Sequence, residues 1–286
     1  MKLLRFGPAG HERPGLVDRQ GRLRDLSAHV PDIAGDALSP ASLARLAELD
    51  VAALPLVPGE PRLGACVGRV GKMVCVGLNY SDHAAESNLP VPTEPVLFLK
   101  PASALCGPND DVEIPPGAEK VDWEVELGVV IGKTARYVSK AEALDHVAGY
   151  CIVNDVSERA YQLERGGQWD KGKGCDTFGP IGPWLVTRDE VPDAQALAMW
   201  LEVDGKRYQQ GNTATMIFDV PTVVSYISQF MSLQPGDIIS TGTPPGVGLG
   251  QKPPVYLRAG QTMHLSIAGL GEQRQRTVPA RVEATR

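Results

Sequence analysis

Two glutamates set the chemical question in this chain. Glu124 and Glu126 lie two residues apart in Asp122-Trp-Glu-Val-Glu-Leu-Gly-Val-Val130, a run whose other members are largely β-branched or apolar. In a strand, residues i and i+2 point to the same side, so both carboxylates face one surface with Cα atoms roughly 6.5 Å apart. A buried face tolerates two such charges only with something positive between them, and a hard divalent cation such as Mg²⁺ takes oxygen ligands of this kind. A strand with one solvated face shows the same alternation, so the segment alone leaves both readings open.

Other residues of the same chemistry lie on either side. Asp155 follows the apolar run Tyr150-Cys-Ile-Val153-Asn154, where it can complete a site with the two glutamates or cap the helix expected to carry Glu158, Arg159 and Gln162. Upstream, Ser81 or Asp82 can cap a short helix that Pro90 and Pro92 stop, which makes His83 and Glu86 i and i+3 neighbours. A carboxylate that holds one imidazole nitrogen raises basicity at the other, as a general base requires; an ordinary surface pair has the same spacing. Gly167 through Lys173 matches Gly-x4-Gly-Lys, but Gly174 stands where a phosphate-binding loop needs Ser or Thr, and no strand precedes it.

The elements that must position these groups are mostly strands. With 31 Gly and 24 Pro in 286 residues, the chain is rich in turn formers, which fits a β-dominated α+β architecture better than a helical bundle. Residues 1–65 read as a small α+β leading domain: strands at Leu3–Phe6 and Gly15–Asp18, a hairpin turn over Asp18–Arg22, and a helix opened by Ser39-Pro40. Residues 66–286 form the second unit, with strands at Met73–Val76, Val96–Lys100, Val112–Ile114, Trp184–Val186, Met199–Val203, Lys206–Gln210, Asp237–Ser240, Met263–Ile267 and Thr277–Val282. Ser139-x-x-Glu142 predicts a helix running through Leu144 and Val147, and Asp219 caps another from Val220 to about Leu233.

Composition narrows the partners. Net charge is −6 and pI near 5.4, so the basic surface that nucleic acid or an anionic membrane demands is missing. No apolar run approaches the ~20 residues needed to span a bilayer, and the first residues lack the apolar core of a secretory signal. These features predict a cytoplasmic protein. The five cysteines, odd in number and never in a Cys-x-x-Cys pair, argue against a disulfide framework or a thiolate zinc site and are expected as small core residues.

Taken together, the segments Gly77–Glu86, Phe98–Lys100, Asp122–Val130, Asn154–Arg159, Trp169–Pro180 and Asp237–Gly248 resemble those of the fumarylacetoacetate hydrolase superfamily, in order and from about Lys72 onward. The resemblance implies a mixed β-sandwich roll and a homodimer. It implies Glu124, Glu126 and Asp155 as ligands of Mg²⁺, with Mn²⁺ as the alternative, and His83, Glu86 and Lys173 as catalytic residues. Lys100, Arg159, Gln162 and Thr243 fall at substrate-binding positions. The implied substrate is a small 2-oxo acid, and the implied reaction is hydrolysis of the C–C bond of a 2,4-dioxo acid. His83, held by Glu86, deprotonates a water that attacks C4; pyruvate leaves as an enolate beside Lys173, with a carboxylic acid as the other product. The sharpest substrate expectation is a 2,4-diketo-3-deoxy sugar acid of the rhamnonate or fuconate type. The same enolate logic serves oxaloacetate decarboxylation, isomerisation of a dienoic diacid or ureidoglycolate cleavage, and a non-catalytic oxo-acid-binding protein is the reading from another class. Removing one of two repelling carboxylates, as in Glu124→Gln, is expected to leave the fold intact.

Overall fold

The computed structural model describes residues 1–82 and 92–281. Its strands, in chain order, are β1 (Lys2–Phe6), β2 (Arg13–Val17), β3 (Leu23–Asp25), β4 (Met73–Gly77), β5 (Val96–Lys100), β6 (Leu105–Cys106), β7 (Val112–Ile114), β8 (Val121–Asp122), β9 (Val125–Ile131), β10 (Val147–Asn154), β11 (Ser157–Glu158), β12 (Gly179–Thr187), β13 (Ala198–Val203), β14 (Lys206–Asn212), β15 (Ile238–Ser240), β16 (Thr262–Ile267) and β17 (Gly271–Pro279). Four α-helices lie wholly within the described residues: α1 (Pro40–Ala47), α2 (Arg159–Leu163), α3 (Asp170–Lys173) and α4 (Val220–Ser228).

A large mixed sheet runs β3-β2-β1-β12-β10-β9-β15-β4-β5, with β6 added beside β12. A second sheet runs β14-β13-β16-β17-β7, and β8 and β11 form a short ribbon. Strand β9 lies between β10 and β15 and is buried along its whole length. The period-2 pleat then sorts its side chains into two cores. Val125, Leu127, Val129 and Ile131 pack with Met199, Leu201, Met263 and Leu265 of the second sheet. On the opposite face, Val130 packs with Cys151, Ile238 and the leading segment's Leu3, Leu16 and Leu38. Glu126 alternates onto this second face, so the sandwich buries an acid where the pattern places an apolar residue.

Residues 1–65, read from sequence as a leading domain, extend the large sheet. β1 pairs antiparallel with β12, Lys2 opposite Val186 and Leu3 opposite Leu185. The predicted hairpin turn joins β2 to β3, and Ser39 caps α1 by accepting from the Ser42 amide.

Three local expectations are corrected. Ser139 bonds Glu142, but only a 3₁₀ turn (Ala143–His146) follows before β10 begins at Val147, because the run Val147–Val153 is fully buried between β9 and β12 and takes the strand conformation. The last strand spans Gly271–Pro279 rather than Thr277–Val282, paired with β16 from Gly271 to Arg276 and with β7 from Thr277 to Pro279. The helix opened by Asp219 ends at Ser228, earlier than its apolar pattern suggests. All five cysteines are free; Cys66, Cys75 and Cys151 are buried, and Cys106 and Cys175 are partly so.

Candidate active site

The backbones of β9 and β10 bring the acids together. Val153 pairs with Glu126 and Asn154 with Val125; beyond the ladder, the Asp155 amide donates to the Glu124 carbonyl at 2.9 Å. The Asn154 side chain accepts from the Glu124 amide at 3.2 Å and fixes where the chain leaves the strand. Oxygens of Glu124, Glu126 and Asp155 consequently lie within 4.8 Å of one another, and all three residues are buried. Asp155 does not cap α2: Glu158 does, accepting from the Ala160 amide. Its carboxylate is therefore left to the site.

Cations surround two of these acids. Lys173, the last residue of α3, donates from Nζ to Glu124 Oε2 at 2.7 Å and to Asp155 Oδ2 at 2.8 Å. Arg159, at the start of α2, donates to Glu124 Oε1 at 2.6 Å and to Gln162 Oε1 at 3.0 Å. Burial works to raise the Glu124 pKa, but Lys173 and Arg159 outweigh it and hold it at about 2. Among the described residues Glu126 makes no ion pair with a lysine or arginine, and Lys173 acts on it only at longer range. Burial, with the charges of Asp155 and Glu124 beside it, pushes its pKa well above the ordinary carboxylate range. Its Oε2 accepts from Ser240 Oγ at 2.5 Å and from the Gly242 amide at 2.9 Å. Gly242 sits at φ +98, and a Cβ there would lie 2.9 Å from Asn79 Cβ and 3.0 Å from the Val76 carbonyl, so this donor position excludes side chains.

A cavity of about 410 Å³ opens over these groups. Glu124, Glu126, Arg159, Gln162, Lys173 and Thr243 line it at the charged end. Phe98, Leu163, Trp169, Val247 and Leu249 line its walls, with Gln251 and Lys252 also on the lining. Phe98 and Trp169 pack at 5.4 Å between ring centroids. Thr243 Oγ1 donates to the Val125 carbonyl at 2.9 Å and accepts from Gln209 at 2.8 Å, so its hydroxyl is fixed.

Of the residues singled out in the sequence, Lys100 is not on this lining. Its ammonium is fully buried behind Asp155, 2.6 Å from Oδ1, and donates to the carbonyls of Val156 and Lys173. It is a counter-charge beneath the acids. His83 and Glu86 lie outside the described residues. The segment around Lys173 forms the short helix α3 with no strand before it, so the Gly-x4-Gly-Lys spacing has none of the context of a phosphate loop.

Sequence reading passed over Asp122, Ser240 and Gly242. Asp122 is fully buried and accepts from Arg159 Nε at 2.8 Å and from the Gly248 and Leu249 amides at 2.6 and 2.9 Å. The signal available was its place two residues before Glu124, among apolar neighbours.

The donor set fits a divalent cation. It is all oxygen, as Mg²⁺ and Mn²⁺ prefer, and the 4.8 Å spread is close to the ~4.2 Å that separates opposite ligands of an octahedral Mg²⁺. Among the described residues Asp155 Oδ1 is buried without a hydrogen bond, and Lys100 Nζ lies 2.6 Å from it as an ion pair. A buried carboxylate oxygen in that state has a free lone pair for a metal.

Comparisons with known proteins identify the family and the fold. The model of the fumarylacetoacetate (FAA) hydrolase C-terminal domain matches residues 72–278. A Burkholderia ambifaria protein named "Putative hydrolase" is 69% identical over 282 residues, covering 98% of this chain and 100% of the relative. The structure of a fumarylacetoacetate hydrolase from psychrophilic Exiguobacterium antarcticum superposes with a TM-score of 0.86 at 36% identity, over 98% of this chain and 100% of its own. That of a maleylpyruvate hydrolase from Sphingobium sp. SYK-6, in complex with manganese(II) and pyruvate, gives 0.81 at 32% identity over the same shares. With the family model matching residues 72–278 and a 69% identical relative covered over its full length, the chain belongs to the fumarylacetoacetate hydrolase family.

Proposed function

We propose that the protein is a divalent-cation-dependent hydrolase that cleaves the C3–C4 bond of a 2,4-dioxo acid to pyruvate and a carboxylic acid. The observation that carries this reading is the buried Glu124, Glu126 and Asp155 cluster with Lys173 in contact with two of its members. These three acids hold the cation. When bound, it polarises the 2-oxo group and favours negative charge at C3.

The chain's own groups supply the rest. Arg159 and Gln162 line the charged end and offer donors to the substrate carboxylate. Lys173 has three donors and spends two on Glu124 and Asp155, which leaves one for the oxygen of the departing enolate. His83, oriented by Glu86, takes a proton from water; the hydroxide adds to C4, the C3–C4 bond breaks with its electron pair going to C3, and protonation of C3 gives pyruvate. This assignment of His83 and Glu86 rests on their sequence motif.

The cavity walls bear on the rest of the substrate. Phe98, Leu163, Trp169, Val247 and Leu249 present few partners to a polyhydroxylated tail, whose hydroxyls lose water on entry. The walls favour an acyl tail over the diketo-deoxy sugar acid expected from sequence. Pyruvate release from a panel of 2,4-dioxo acids, followed with Mg²⁺ or Mn²⁺ present, tests the proposal; no pyruvate from any member overturns it. Interconversion of a dienoic diacid without cleavage identifies an isomerase instead.

A further inference from the structure

Asp122 belongs to neither the acid cluster nor the cavity lining, yet it is fully buried. Oδ1 takes the amides of Trp123 at 2.8 Å and Gly248 at 2.6 Å. Oδ2 takes the Leu249 amide at 2.9 Å and Nε of Arg159 at 2.8 Å, with Arg159 Nη2 in ion-pair contact at 2.8 Å. A Cβ on Gly248 would lie 2.7 Å from Asp122 Oδ1 and 2.0 Å from the Val255 carbonyl, so the loop backbone is seated directly on the carboxylate. One side chain thus ties the Arg159 face of the cavity to the wall that includes Leu249.

The charges give this tie a purpose. Arg159 is shared between Asp122 and Glu124, at 2.8 and 2.6 Å. A cation bound by Glu124 takes over that carboxylate's charge and weakens its hold on Arg159. Without a second partner, Arg159 would then be a buried unpaired cation, or would keep Glu124 and exclude the metal. We infer that Asp122 is a positioning residue. It supplies the counter-charge that lets Arg159 release Glu124 to a divalent cation while staying fixed on the cavity face.

The inference rests on the acid cluster as a cation site, and double-mutant calorimetry separates the two. Mn²⁺ is titrated into chelator-stripped wild type, D122N, R159M and D122N/R159M. We expect D122N to bind Mn²⁺ at least about 10-fold more weakly, because Arg159 then falls wholly on Glu124, and the double variant to match R159M within about 3-fold, because Asp122 acts through Arg159. Wild-type affinity in D122N overturns the inference, as does a full 10-fold loss on adding D122N to R159M. Should D122N fail to fold with its stranded cation, the R159M and D122N/R159M pair, in which that cation is gone, decides alone by the same criterion. Failure of the wild type itself to bind any divalent cation counts against the cation site instead.

Discussion

Lys173 Nζ lies 2.7 Å from Glu124 Oε2, inside the group of carboxylates that a divalent cation needs. The ammonium and the cation therefore share ligands, and each bears on the other's affinity. Burial disfavours the charged lysine, but Asp155 and Glu124 reverse this and raise its pKa above the ordinary lysine value.

Replacing this lysine should split binding from turnover. Lys173→Met removes a competing positive charge, so Mn²⁺ affinity at neutral pH is expected to rise, while loss of the enolate donor lowers kcat by roughly 10²–10³-fold. Calorimetry and steady-state rates read the two effects separately; weaker metal binding in the variant contradicts this role.

The two glutamates are not equivalent. Glu124 is paired with two buried cations, so Glu124→Gln leaves them short of a partner and should cost about 3–5 kcal/mol in thermal or denaturant unfolding. This reverses the expectation from charge repulsion alone. Glu126 meets Ser240, the Gly242 amide and other acids, so the neutral Glu126→Gln should remove metal binding with stability nearly unchanged.

The difference shows what the sequence could carry. Strand alternation sets Glu124 and Glu126 on one face and the end of an apolar run marks Asp155, both local signals, whereas Lys173 enters only through the family resemblance. The identity of each acid's neighbours was not local: Ser240 reaches Glu126 across 114 residues, and Arg159 reaches Glu124 across 35. Lys100 ends a strand as expected, but only the sheet order, which sets β5 beside β4, places it beneath Asp155. Pro55, Pro58, Gly59 and Pro61 mark a plausible boundary after the leading segment, and the pairing of β1 with β12, a contact distant in sequence, continues the main sheet across it.

Acid should loosen the leading hairpin through Asp18. Burial raises its pKa, but the Arg22 amide, the Arg24 and Arg22 side chains and the Gln20 amide outweigh this and hold it at about 2, below the ordinary 3.8. A depressed carboxylate stabilises the fold fully above its unfolded pKa and loses that contribution as pH falls through the folded value. Unfolding midpoints between about pH 4 and pH 2 should therefore fall more steeply in wild type than in Asp18→Asn. Parallel slopes contradict this.

The apolar walls should show in substrate preference. Among 2,4-dioxo acids with equal head groups, an alkyl or alkenyl tail is expected to exceed a polyhydroxylated one by about 10-fold or more in kcat/KM, the scale of one or two unpaired hydroxyls. Trp169→Ser should narrow that ratio, because it removes an aromatic wall packed against Phe98. An unchanged ratio would place the discrimination elsewhere.

The central claim is that the acid cluster holds a divalent cation needed for C–C cleavage. The most direct measurement is pyruvate release from 2,4-dioxopentanoate by wild type and Glu126→Gln, before and after chelator treatment and again after Mg²⁺ is restored. The account predicts that wild type loses activity on chelation and regains it with Mg²⁺, while Glu126→Gln is inactive throughout despite an intact fold. Pyruvate release that survives chelation, or that survives in the variant, contradicts it.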